Sequence, residues 1–95
     1  MGFDPETLIE AHQAGVWRYL RSLGCERELA SDITQETFLA VLQKPFDDYD
    51  PRATASYLRT VARNLFISAM RKAGRMIVVE DIDAVETTWN RWMGK

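Results

Sequence analysis

Six cations, Arg52, Arg59, Arg63, Arg71, Lys72 and Arg75, lie between Pro51 and Val79, a stretch that contains no Asp or Glu. A guanidinium carries a permanent charge and a planar fork of donors that fits phosphates and base edges, so this block is equipped to recognise a polyanion, nucleic acid first. Charge gives affinity but no selectivity. Ser56, Tyr57, Thr60, Asn64 and Ser68, interspersed among the cations, supply the short polar groups that selectivity needs. Tyr57, with Phe46 and Tyr49 just upstream, suits splayed bases better than an intact duplex, because a ring can stack on an unpaired base. The segregation is the more telling because the chain as a whole is acidic. Residues 1–50 hold four Lys/Arg against ten Asp/Glu, residues 80–95 hold two against four, and the total is −2. A helix that merely met solvent would interleave both signs for i, i+4 pairing.

A second constellation is acidic. Asp32, Gln35, Glu36 and Leu39 recur at i, i+3, i+4 and i+7 and make one patch on a helix, with a leucine set among the polar groups. That is the layout of a helix-on-helix or helix-in-groove contact. The pattern alone equally allows a solvated face with one stray leucine. Bond-making chemistry is poorly provided for. His12 has no serine or cysteine nucleophile in its own helix, and Cys25 has no local base. The pairs Asp47/Asp48 and Glu80/Asp81 lack companion ligands, and no glycine-rich phosphate loop or Cys/His cluster occurs. We therefore expect a binding module with no metal and no cofactor, not an enzyme. His12 and Cys25 read as packing residues.

These side chains must be held by a single domain, since the chain has 95 residues, 46% hydrophobic and 27% charged. No apolar run is long enough for a membrane span, and Met1-Gly2-Phe3-Asp4 does not resemble a signal peptide, so a cytoplasmic location is expected. Asp4-Pro5-Glu6 announces a helix start, and Leu8, His12, Val16, Tyr19, Leu20 and Leu23 follow at helical spacing until Gly24. Trp17, Arg18 and Arg21 form an edge of this helix available to a partner. The second helix is predicted over about 26–43, ending before Pro45, with Leu29, Ile33 and Ala40 turned inward. The third is predicted over about 54–72, capped by Asp50 or Thr54 after an ordered link. There Leu58, Val61, Ala62, Leu65, Phe66 and Ala69 share one arc. Arg59, Arg63 and Arg71 fall within about 120° of one another on the other side, with Thr60, Asn64 and Ile67 among them and Tyr57 at the margin. Arg52 and Arg75 extend that side if the helix reaches them. The fold class is all-α, a three-helix core over 1–75. Residues 76–95 form a linker or tail in which Trp89 and Trp92 suit a short amphipathic helix that packs back or self-associates.

Two runs of residues resemble a known family. Ala30-Ser31-Asp32-Ile33-Thr34-Gln35-Glu36-Thr37-Phe38-Leu39 is similar to the Ala-x-Asp-Leu-x-Gln-Glu-x-Phe-Leu signature of sigma-70 family initiation factors. Tyr57-Leu58-Arg59-Thr60-Val61-Ala62-Arg63-Asn64, continuing to Ile67-Ser68 and Met70-Arg71-Lys72, is similar to their Trp-Leu-x-x-Ile-Ala-Arg-Asn-x-x-Ile-Asp-x-x-Arg-Arg. The resemblance is closest to region 2 of the extracytoplasmic-function (ECF) group and covers about residues 6–75. It implies a compact helical domain that docks on the clamp coiled coil of the RNA polymerase β′ subunit and captures the −10 element of promoter DNA, on its non-template strand. Carried over by position, Asp32, Gln35, Glu36 and Leu39 meet the polymerase. Arg59, Arg63, Asn64, Arg71 and Lys72 meet DNA, Tyr57 and the loop of Phe46 and Tyr49 assist melting or hold an extruded base, and the charge and polarity of Arg52, Thr60 and Arg75 add them, with Tyr57, to the DNA-binding set. The family also implies an anti-sigma factor as a further partner. Tyr57 stands where the family usually has Trp, which keeps stacking, and Ser68 replaces the usual Asp. The helix-turn-helix that reads the −35 element in the family has no counterpart in these 95 residues. The expectation is either a fragment of a longer factor or a chain that does not direct transcription alone. The chief competing expectation is a helical interaction or regulatory domain whose acidic helix contacts proteins and which never touches DNA.

Overall fold

The computed structural model describes residues 4–43 and 50–75. Three helices lie within them, α1 (Pro5–Ser22), α2 (Arg27–Leu42) and α3 (Pro51–Lys72), and each packs on the other two. The domain is all-α, as expected. No helix among the described residues is long and apolar enough to cross a membrane.

The helix ends follow from local chemistry. The Asp4 carboxylate accepts from Glu6 N at 3.1 Å and from the Thr7 hydroxyl at 2.7 Å, and Pro5 occupies the first turn, where its missing N–H costs nothing. α1 ends in a Schellman motif: Gly24, at φ 92°, donates to Arg21 O at 3.0 Å while Cys25 N donates to Leu20 O at 3.1 Å. α3 ends the same way, Gly74 at φ 75° donating to Arg71 O at 3.0 Å and Arg75 N to Met70 O at 3.0 Å. α2 is capped by Glu26, whose carboxylate accepts from Glu28 N and Leu29 N at 3.1 and 3.3 Å.

The third helix begins one turn earlier than its periodicity predicts. Asp50 is its N-cap, accepting from Arg52 N at 3.1 Å, and Pro51 pre-sets the first turn. Thr54 is therefore inside the helix and buried, not a cap. Arg52 becomes helical, whereas Arg75 lies just past the end.

The core is built from Leu8, Val16, Tyr19 and Leu20 of α1, Ile33, Phe38 and Val41 of α2, and Leu58, Ala62 and Phe66 of α3. The inward face of α2 is displaced from the expected one. Ala30, Ile33, Thr34, Thr37, Phe38 and Val41 are buried, whereas Leu29 and Ala40 are only half-buried. Two threonines occupy that face because each satisfies its hydroxyl within its own helix, Thr34 donating to Ala30 O and Thr37 to Ile33 O, both at 2.7 Å. The burial of their methyl groups then costs no orphaned polar atom. A second correction concerns Ile67, which lies between Arg63 and Arg71 along α3 yet is buried.

Candidate nucleic-acid and protein interfaces

The outer face of α3 carries Arg52, Ser56, Tyr57, Thr60, Asn64, Ser68 and Arg71, all exposed. Leu58, Ala62 and Phe66 anchor the opposite face, so this outer row is fixed by core packing. Tyr57, 40% exposed, presents a large aromatic surface to solvent. The Thr60 hydroxyl donates to Ser56 O at 3.1 Å, which commits its proton and leaves its oxygen as an acceptor on the surface. Arg71 and Lys72 are exposed in the last turn, and Arg75 is exposed just beyond it.

Arg59 and Arg63 sit at the border of this face and are half-buried. The Arg59 guanidinium lies 5.9 Å from the centroid of the Tyr19 ring, which α1 contributes from below. The Arg63 Nε is buried as well, so the stems of both side chains run along the surface of the core. The two arginines are on one side of the helix, one turn apart.

Position along α3 separates structural from functional readings of these cations. Arg71 and Lys72 at the C-terminal turn complement the helix dipole, so stability alone accounts for cations there. Arg52 is different. It occupies the first turn, where a cation opposes the dipole and an acid would gain about 0.3–1 kcal/mol, and that turn contains no acidic residue. Helix stability does not explain it.

The acidic constellation is assembled on α2. Asp32, Gln35, Glu36 and Leu39 are all exposed, on the side away from the buried Ala30, Thr37 and Val41. Leu39 is 61% exposed, the larger of the two large hydrophobic exposures among the described residues. The structure adds what the sequence pattern did not assign. A groove of about 250 Å³ runs between α1 and α2, lined by Ile9, Gln13, Thr34, Gln35, Phe38, Leu39 and Leu42. A second opening of about 400 Å³ includes Trp17 and Ser31 together with Gln13, Thr34 and Gln35. Ile9, Gln13 and Trp17 recur every fourth residue along α1, one position out of step with the core stripe, and that spacing was the available signal.

Arg21, by contrast, closes the α1–α2 link. Its Nη1 donates to Cys25 O at 2.7 Å and its guanidinium lies 5.9 Å from the centroid of the Trp17 ring. Cys25 is 1% exposed, and burial, with the neighbouring Glu26 adding to it and Arg21 opposing, pushes its thiol up to about 11. Such a thiol stays protonated and is no nucleophile. His12 is half-buried. No group of three or more His, Cys, Asp or Glu is placed to hold a metal ion among the described residues. Phe46 and Tyr49, and the tail with Trp89 and Trp92, lie outside the described residues.

The described residues thus form a three-helix domain with a cationic, aromatic face on α3 and an acidic, leucine-bearing face on α2. The sigma-70 region 2 family model matches residues 8–76, and the chain belongs to that family. It is 38% identical over 77 residues to the ECF RNA polymerase sigma factor SigL of Mycobacterium tuberculosis, covering 80% of this chain and 44% of that protein. It is 31% identical over 83 residues to the ECF RNA polymerase sigma factor SigE of Mycolicibacterium smegmatis, covering 84% of this chain and 32% of SigE. It is 30% identical over 76 residues to the ECF RNA polymerase sigma factor SigM of Bacillus subtilis, covering 80% and 46%. The chain thus spans a third to a half of the length of these relatives. No solved structure matches at the same stringency.

Proposed function

We propose that this chain is the core-binding and −10-recognising domain of a transcription initiation factor of the ECF group. In this reading residues 1–75 form the functional domain and residues 76–95 a linker or tail. Asp32, Gln35, Glu36 and Leu39 contact the β′ clamp coiled coil of RNA polymerase. Arg52, Tyr57, Arg59, Thr60, Arg63, Asn64, Arg71, Lys72 and Arg75 contact the non-template strand of the −10 element, with Phe46 and Tyr49 supporting strand separation.

The observation that carries this reading is the sorting of chemistry by helix. One exposed face of α3 combines arginines, hydroxyls, an asparagine amide and an aromatic ring, and one exposed face of α2 combines carboxylates, an amide and a leucine. Cations and short polar groups fit phosphates and base edges, and Tyr57 fits an unstacked base. The acidic patch beside an apolar groove fits a helix bearing basic and apolar residues.

Salt dependence is the direct test. With polymerase core present, affinity for single-stranded promoter DNA should fall by roughly 0.7 log units per log unit of salt for each phosphate contact, hence steeply for five or six cationic contacts. A flat response would leave only the reading in which the domain binds proteins and not DNA.

A further inference from the structure

We infer that residues 87–95, which lie outside the described residues, occupy the groove between α1 and α2 in the free chain and cover the polymerase-binding face until polymerase displaces them. The contact itself is argued from the groove and the tail alone, whereas its competition with polymerase rests on the reading of α2 given above.

One end of the groove is apolar, with Ile9 of α1 beside Phe38, Leu39 and Leu42 of α2, and the adjoining opening carries Trp17 and Ser31. From Ile9 to Trp17 is about 12 Å along α1, a length that a helix of about nine residues fills. Charge selects the occupant. Glu6 and Glu10 fall within about 100° of Ile9 on the α1 wheel and Glu36 adjoins Gln35 on α2, all three exposed, so carboxylates rim the Ile9 end. Beyond Trp17 the sign changes, with Arg21 in the last turn of α1 and Arg27 at the start of α2. The tail carries both signs in the matching order. Residues 80–86 hold four acids and no cation, whereas residues 87–95 hold Arg91 and Lys95 with Trp89, Trp92 and Met93 and no acid. Laid along the groove from its Trp17 end, the tail brings its acids to Arg21 and Arg27 and its cations to Glu6, Glu10 and Glu36. The reverse direction would place like charges together. Two indoles supply the driving force, since each aromatic side chain can remove about 150–250 Å² from water. Reach is sufficient as well, because the 12 residues from 76 to 87 extend up to about 40 Å and α3, the longest helix, spans about 33 Å.

The test uses the full chain carrying Trp17→Phe, in which Trp89 and Trp92 are the only tryptophans. Their emission should be blue-shifted and should resist acrylamide quenching relative to the urea-unfolded chain. Glu10→Lys with Glu36→Lys, both at exposed positions, should move emission to the red and raise quenching without loss of helix content. Adding Arg91→Glu with Lys95→Glu should restore the shielding, which repair of a damaged fold would not do. Tryptophans as open to quencher in the starting chain as in urea overturn the inference. So does shielding that the charge reversal leaves intact, because the tail then packs elsewhere. Shielding that grows with protein concentration assigns the groove to the tail of a second copy and also overturns it. In the otherwise unaltered chain, Trp89→Ser with Trp92→Ser should tighten capture of polymerase core about fivefold, the gain for a groove that the tail holds in about four of five molecules. Shielding that follows the charge swap while capture stays unchanged upholds the tail contact and counts against the polymerase reading of α2.

Discussion

Replacing Leu39 by alanine separates the cost of losing a surface from the cost of losing a fold. Leu39 is 61% exposed, while its neighbour Phe38 is 4% exposed and belongs to the core. Full burial of a leucine side chain is worth about 1.5–3 kcal/mol, and roughly three-fifths of that is still unrealised at Leu39, which leaves about 1–2 kcal/mol for a partner to collect. Leu39→Ala should therefore weaken capture of polymerase core by about five- to thirtyfold. The folded domain should scarcely notice, because alanine is at least as good a helix former and exposed substitutions stay within about 0.5 kcal/mol. Phe38→Ala is the contrasting control, expected to cost about 3–5 kcal/mol of stability through the cavity it leaves. The assay is equilibrium binding of labelled domain to polymerase core, with thermal unfolding measured on the same samples. Leu39→Ala binding within twofold of the parent would refute the docking face. So would a loss of binding accompanied by a matching loss of stability, since Leu39 would then be serving the fold.

The two faces should also fail independently. Asp32→Ala with Gln35→Ala should weaken polymerase capture and leave single-stranded DNA binding unchanged, whereas Arg71→Ala should weaken DNA binding, flatten its salt slope by about 0.7 and spare capture, and parallel losses in both assays would contradict separate faces. Cys25 should react with a thiol reagent at pH 8 about 100-fold more slowly than in the unfolded chain, because its thiol is raised from 9.0 to about 11, and rapid modification without unfolding would contradict its burial. The same shift has a definite sign for stability. The folded state keeps a proton that the unfolded chain releases near pH 9, so the contribution, about 2–3 kcal/mol at most, is whole below pH 9 and is lost as pH rises from 9 to 11, a descent that Cys25→Ala should remove.

Caps and apolar spacing made most of the architecture legible. Asp4-Pro5 and Gly24 mark helix ends by mechanisms that act within a few residues, so the boundaries of α1 follow from sequence, whereas for α3 the sequence left Asp50 and Thr54 both open as caps and the structure selects Asp50. The inward face of α2 did not follow, because a search for apolar residues passes over threonine. Thr34 and Thr37 become core residues only through bonds to carbonyls of their own helix. Ile67 was misplaced for the opposite reason. An apolar residue near a cationic row was assigned to the row, whereas α3 is buried over a wider arc at that point. Ile9, Gln13 and Trp17 show as one row on the α1 wheel, but that this row borders a groove with α2 depends on how the two helices pack. Tyr19 under Arg59 is hidden in the same way, since a tyrosine in an apolar stripe reads as packing until its neighbour from another helix is known.

Placing opposite charges on separate helices would also give each face, in the proposed function, a means of refusing the other's partner. A nucleic-acid strand that approached α2 would meet Asp32 and Glu36, and like-charge juxtaposition of that kind costs more than a missing contact does. A basic helix that approached α3 would meet Arg52 and Arg71 in the same way. The net charge of −2 means that the chain as a whole lacks the long-range attraction to DNA that a uniformly basic protein has. DNA affinity then depends on presenting the α3 face correctly, and docking through α2 supplies that orientation in the proposed function. In the proposed function, weak binding by the isolated domain and strong binding in the polymerase complex would be two consequences of one charge distribution, with α2 and α3 held in register by the packing of Phe38 and Val41 in the core they share with Leu58 and Phe66.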